Sequence, residues 1–219
     1  TAGFILEEGF PIASLVKFLA SMQTAAAEAE IQVVAGDTKV VEKGKADGIF
    51  ITTSGIGWIT GGHRIAGDQA KPDDVVIISG NLGDHGIAVL AARGELGFET
   101  EVVSDVAPLN KMIRQLLAAA PHTHVLRDPT RGGLATTLNE IARQSGVGVM
   151  VHEKALPVNP LVAAACEFLG LDPLYVANEG KLVAICAQND AELLLSKVRR
   201  HPPGGAGAFI GSRLFYTSD

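Results

Sequence analysis

A chain of 219 residues that is 47% hydrophobic and 19% charged is long enough to bury a core and polar enough to stay in water, which excludes disorder, collagen and coiled coil. Its formal charge of -6 supplies no basic stripe for nucleic acid or an anionic membrane surface, so neither is expected as a partner. With 30 alanines, 25 glycines and only 5% aromatic residues, helices and loops are expected to pack at close backbone distance.

Residues 3–8 (GFILEE) read as a short strand, and 11–30 as a helix opened by Pro11, with Ile12, Leu15, Val16, Leu19 and Met22 at helical spacing. A strand-like run, IQVVAG at 31–36, follows, and the β-branched and aromatic segment 48–58 reads as a further strand. The stretch 60–74 is polar and unperiodic and separates two domains, 1–70 and 71–219. Beyond it, helical patterns at 85–94, 106–119, 131–144, 160–169 and 190–200 alternate with strand-like segments at 75–79, 147–152, 181–187 and 207–211. The expected fold class is therefore α+β, with sheet and helix mixed, in two domains. Cys166 and Cys186 each sit in an apolar run, too few for a disulfide framework or a structural zinc site, and fit a reducing compartment. No run reaches the ~18 apolar residues of a membrane-spanning helix, and Thr1 opens neither a basic nor an apolar leader, so a cytoplasmic protein is expected.

Four segments carry chemistry. GDTK at 36–39 places a carboxylate and an ammonium two residues apart, on one face if the strand continues. Asp37 would then offer a hard oxygen to Mg²⁺ and Lys39 a point charge to a phosphoryl group or a proton transfer; the alternative is a solvated charge pair in a turn. SGNLGDHG at 79–86 turns from a strand through glycines into a helix, and such turns present backbone N–H groups to anions. It lacks the lysine of a Walker loop, and His85 reads as an acid–base group or as a packing histidine. LRDPTRGGL at 126–134 opens a helix, with Thr130 as its N-cap, Asp128 at the positive end and two glycines allowing close approach. NEGK at 178–181 sets Glu179 ahead of a glycine at a strand start, as a general base or simply as a turn residue.

Together, GFILEEG, GDTKVV, SGNLGDHG, SDVAPLN, LRDPTRGGLATTLNE, ALPVNP and CEFLGLDPLYVANEGKL, in this order, resemble the HypE family of hydrogenase maturation proteins within the PurM-like (aminoimidazole ribonucleotide synthetase-like) superfamily. The resemblance runs from about Ala2 to Arg213. It implies the two-domain PurM-like architecture, with a partial N-terminal sheet-plus-helix domain for dimerisation and nucleotide binding and a C-terminal domain of mixed sheet and helices. It further implies a homodimer that binds ATP and Mg²⁺ and works with the carbamoyltransferase HypF and the HypC–HypD complex. The implied reaction is dehydration of a carboxamide on the protein's own C-terminal cysteine to a thiocyanate, the source of the cyanide ligand in nickel–iron hydrogenases. Carried over residue by residue, Asp37 is the Mg²⁺ ligand, Lys39 lies beside the reacting groups, Glu179 is the base, and Asp128, Thr130 and Arg131 line the nucleotide cleft.

Two departures stand against the family pattern. Members carry acidic ligands ahead of GFILEEG and a cysteine-ending tail, and this sequence shows neither, so the 219-residue chain is expected to be truncated and inactive as it stands. Another ATP-dependent synthetase or kinase of the superfamily, or a non-catalytic scaffold for maturation proteins, remains an alternative on sequence.

Overall fold

Ala2–Glu7 (β1) enters a helix through Pro11, whose φ of -65° suits a helix start, and α1 runs over Ile12–Glu28. The chain returns to Gly36–Val41 (β2), parallel to β1 with Ala2 opposite Gly36, so β1, α1 and β2 form a crossover unit. Ile49–Thr53 (β3) lies antiparallel on the other side of β1, giving the order β2-β1-β3. The run expected as a strand at 31–36 is instead the return connection, and the strand begins where that run ends. Its ends are already committed: Ile31 donates its amide to the Ala26 carbonyl at 2.9 Å, closing α1, and the Ala35 carbonyl accepts from Ala2 at 3.0 Å. The run expected at 48–58 is a strand only as far as Thr53, opposite Ala2, with Ser54 still bonded to Thr1; Ile56 and Trp58 stand exposed beyond it.

These strands belong to one compact unit, Thr1–Gly62, and the rest of the chain to a second, His63–Asp219, in a computed structural model that describes residues 1–58, 62 and 64–216, the last four by backbone alone. The start of the 60–74 stretch thus lies partly outside the described residues. The second unit is built on a five-stranded antiparallel sheet of Val75–Ile78 (β4), Thr123–Arg127 (β5), Val147–Val151 (β6), Val183–Cys186 (β7) and Ala208–Tyr216 (β8), in the order β5-β7-β4-β8-β6. Its helices are Asp84–Ala92 (α2), Asn110–Ala119 (α3), Gly133–Ser145 (α4), Pro160–Leu169 (α5) and Gln188–Arg200 (α6). The helix expected from 106 starts at Asn110, because Pro108 disfavours helical backbone at Ala107 before it.

The strand period of two sorts this sheet into two cores. Val76, Ile78, Val183 and Ile185 face α4 with Leu134, Leu138 and Ile141, whereas Ile77, Ala184 and Cys186 face α3 and α6 with Met112, Leu116, Leu194 and Val198. All four residues of β7 are buried, as a central strand covered on both faces requires. A third cluster joins α2 and α5 through Ile87, Val162, Ala165 and Cys166. Both cysteines are free and buried; burial pushes the Cys166 thiol up and the Cys186 thiol up to about 12, so they serve as small apolar residues. The mixed α+β class read from the sequence is the one observed.

Candidate active site

β7 lies antiparallel between β4 and β5, with Val183 opposite both Ile78 and Arg127. The C-terminal ends of β4 and β5 therefore meet the N-terminal end of β7, and three of the four sequence motifs leave the sheet from one edge. One buried side chain ties them. Asn178 accepts the Gly83 amide at 2.8 Å through Oδ1, and through Nδ2 donates to the carbonyls of Pro129 at 3.1 Å and Val176 at 2.9 Å. All three amide contacts are made, which is what a fully buried amide requires. Ser79, also buried, accepts the Leu182 amide at 2.9 Å and closes the junction beneath.

Next to this junction, charge is taken out of water. The Lys181 side chain is buried and its Nζ donates to Asp105 Oδ2 on the segment ahead of α3. Asp84, the first residue of α2, also belongs to this group: burial raises its carboxyl above the ordinary value and the Asp105 carboxylate adds to the effect, while Lys181 and a hydrogen bond from Asn81 oppose it. Among the described residues, Oδ1 of Asp84 and Oδ1 of Asp105 are buried without hydrogen-bond partners. His85 follows in α2 with Nδ1 2.8 Å from Ser104 Oγ, a packing and clasping role. It also borders an apolar cavity of about 340 Å³ with Val89, Leu90, Leu171 and Tyr175.

The helix start at 126–134 differs from expectation. Gly132, in a left-handed conformation with φ 72°, is the N-cap of α4 and no side chain caps it, so Thr130 is not the cap. Gly132 and Gly133 both turn through positive φ, which delays the first helical residue past Thr130; Thr130 instead offers its carbonyl to the Gly133 amide at 3.3 Å. Arg131 and Asp128 are exposed, and Asp128 accepts from Arg127 at 3.3 Å, with Arg127 also held by Glu140 at 2.9 Å. Glu179 is half-buried immediately after Asn178.

Asp37 and Lys39 are exposed on β2, opposite Gly3 and Ile5 of β1. They lie inside a strand that starts at Gly36, not at the end of one, and the strand period puts them on one face. Asp37 Oδ1 accepts the Thr38 amide at 2.8 Å. No group of three or more His, Cys, Asp or Glu able to hold a metal occurs among the described residues. The donor set still fits Mg²⁺ held jointly with a nucleotide, since that ion is commonly bound by one or two carboxylates plus phosphate oxygens, and Asp37 supplies such a carboxylate. Likewise Arg131, exposed at a helix start, has the charge to meet a phosphate.

The residues that sequence reasoning passed over are Asn178, Lys181, Asp105 and Asp84. A signal for Lys181 was present: an ammonium placed directly before the apolar run LVAIC is costly unless a carboxylate comes to it.

Residues 71–206 match the family model described as AIR synthase related protein, C-terminal domain. The chain is 57% identical over 211 residues to carbamoyl dehydratase HypE of Azotobacter vinelandii, across 96% of this chain and 62% of that protein. Among solved structures, the HypE–HypF complex superposes with a TM-score of 0.95 at 50% identity, over 99% of this chain and 70% of the matched one. HypE in complex with ATP also gives 0.95, at 49% identity, over 99% of this chain and 64% of that one. The chain thus spans about three fifths of the length of the curated relatives it matches, 62% for the A. vinelandii protein.

Proposed function

We propose, from the premise that this chain belongs to the HypE family of AIR synthase related proteins, that the complete protein matures hydrogenases as an ATP-dependent carbamoyl dehydratase. The observation that carries this reading is the junction at Asn178, which gathers the SGNLGDHG, RDPTRGG and NEGK segments at one sheet edge in a chain 57% identical to a carbamoyl dehydratase HypE. Its substrate is the S-carboxamide of a C-terminal cysteine, R–S–CO–NH₂, and its product the thiocyanate R–S–C≡N, the donor of cyanide to nickel–iron hydrogenase. The amide oxygen leaves on the phosphate and the two amide protons pass to the base and on to solvent, so that R–S–CO–NH₂ and ATP give R–S–C≡N, ADP and phosphate, and the cysteine adduct is lighter by one water.

ATP supplies the phosphoryl group that makes the amide oxygen a leaving group. Glu179 takes the nitrogen-bound protons, which a carboxylate does once it is partly removed from water and within reach. Lys39 would bring its charge to the carboxamide oxygen and the phosphoryl group, and Asp37, on the same strand face, would give an oxygen to Mg²⁺, which would neutralise the phosphate charge. Asp128, Thr130 and Arg131, just ahead of α4, line the nucleotide cleft or its phosphate side, Arg131 with the charge a phosphate calls for. The ATP complex of a 49%-identical HypE supports the nucleotide, and the HypE–HypF complex supports HypF as a partner. The working protein is a cytoplasmic homodimer that passes its product to HypC–HypD.

Intact-mass spectrometry of the complete protein, carbamoylated by HypF and then given Mg-ATP, tests the reading. Loss of one water from the cysteine adduct is expected; an adduct insensitive to ATP refutes it. Lys39→Ala is expected to abolish that loss while ATP binding, read by calorimetry, changes much less. Glu179→Gln should lower its rate by about 10²–10⁴-fold, since an amide of the same shape accepts no proton at neutral pH.

A further inference from the structure

Lys181 is a costly side chain to bury, an ammonium that is 0% exposed. Its partner, Asp105, sits on the connection ahead of α3, and the residues around it are held at two further points, one on α2 and one ahead of β7. Ser104 Oγ lies 2.8 Å from His85 Nδ1 on α2. Gly180, at φ +61°, is pressed by the same backbone: a Cβ there would run into the Asp105 carbonyl oxygen and stand 2.8 Å from the Ala107 amide nitrogen. Residues 104–107 are thus a strap that bears directly on Gly180 and Lys181, the two residues after Glu179. Among the described residues no hydrogen bond orients the Glu179 carboxylate itself, so what is fixed is where the backbone sends the side chain off.

We infer that Lys181, through Asp105, is a positioning residue for Glu179, the ion pair clamping the 104–107 strap on Gly180 and so setting the direction in which Glu179 leaves the main chain. The inference rests on the reading of Glu179 as the base. A methionine has similar reach and packs without desolvating a charge, so stability alone does not call for an ammonium at this position. The clamp accounts for it. An ion pair formed out of water holds two backbones in one register, and proton removal depends on placement within hydrogen-bond reach of the substrate nitrogen.

The experiment uses the complete carbamoylated protein with Mg-ATP, reading water loss by mass and stability by thermal unfolding in four forms: wild type, Lys181→Met, Asp105→Asn and the double variant. Each single variant is expected to lower kcat at least tenfold with the KM for ATP within twofold, and to lower Tm. The double variant, which removes both members of the pair and with Asp105 the carboxylate that repels Asp84, is expected to regain most of the lost Tm and not kcat. A Lys181→Met protein that turns over within twofold of wild type overturns the inference, and so does a double variant that recovers both quantities, because the pair would then be structural only. If Lys181→Met does not fold, Asp105→Asn, made at a side chain 29% exposed, decides by the same criteria. A wild-type protein that loses no water overturns the dehydratase reading and this inference with it, whereas an active wild type with active variants overturns the positioning role alone.

Discussion

Asn178 spends its whole amide on backbone groups of two other loops and its own, so its removal has consequences far from position 178. Asn178→Ala leaves the Gly83 N–H and the Pro129 carbonyl unpaired in a buried place and is expected to cost about 3 kcal/mol in chemical denaturation. Asp84 works in the opposite direction. Burial raises its folded-state carboxyl pKa above the unfolded value, so the folded state holds the proton more tightly. Ionising Asp84 therefore costs stability that begins to be lost as pH rises past the unfolded value and is fully lost above the folded one. Asp84→Asn removes that loss: its Tm relative to wild type is expected to be higher at pH 7 than at pH 4, by the equivalent of about 1 kcal/mol or less after solvent screening. At this scale the sequence showed chemistry-bearing types, such as Glu179 beside a glycine, but not partners. Lys181 and Asp105 are 76 positions apart, and only the placement of β7 brings them together.

Elements were legible where a period ran long enough to show a face. The helices at 131–144, 160–169 and 190–200 lie within a few residues of α4, α5 and α6. Strand β5 was missed because THVLR is short and flanked by His122 and Asp128, and becomes a strand by pairing with β7. Conversely 31–35 has strand composition but meets β1 only at its end, through the Ala35 carbonyl. The start of α4 offers a paired test of what its glycines do. At Gly133, φ is +64° and a Cβ would run into the Leu174 carbonyl oxygen and stand 2.8 Å from Val176 O; at Gly146, the C-cap of the same helix, φ is +65° and nothing lies within 4 Å. Gly146→Ala is expected to cost only the left-handed penalty, about 1 kcal/mol. Gly133→Ala adds a backbone collision and is expected to cost about 3 kcal/mol or more, with the motif at 173–176 displaced, as urea unfolding of the two variants would show.

The two compact units differ in how much they bury. In Thr1–Gly62, α1 buries no residue, β2 is exposed through Val40, and among the described apolar residues only Ala2 and Leu6 are buried, whereas His63–Asp219 holds all three core clusters. Native-state hydrogen exchange is expected to release the amides of β1, β2 and β3 at least about 10²-fold faster than those of β4 and β7, because local opening of the first unit exposes so little further apolar surface. Equal protection in both sheets would contradict this. At this scale the sequence showed the interruption at 60–74 and the α+β class, and it hid the lopsided distribution of core because exposure of Ile12, Val16, Leu19 or Phe50 is invisible to periodicity.

The sheet order has a consequence during synthesis. β7, the strand that separates β4 from β5, is seventh of eight in the chain, and the two strands it joins are made about 105 and 60 residues before it. A nascent chain that has not yet released Cys186 therefore carries β4 and β5 as two separated, unpaired edges, with Ile77, Ile78 and Val125 uncovered. Until β7 slides between them, the polypeptide is a template for the wrong partner, and the ribosome, not the finished molecule, is where a chaperone would meet it.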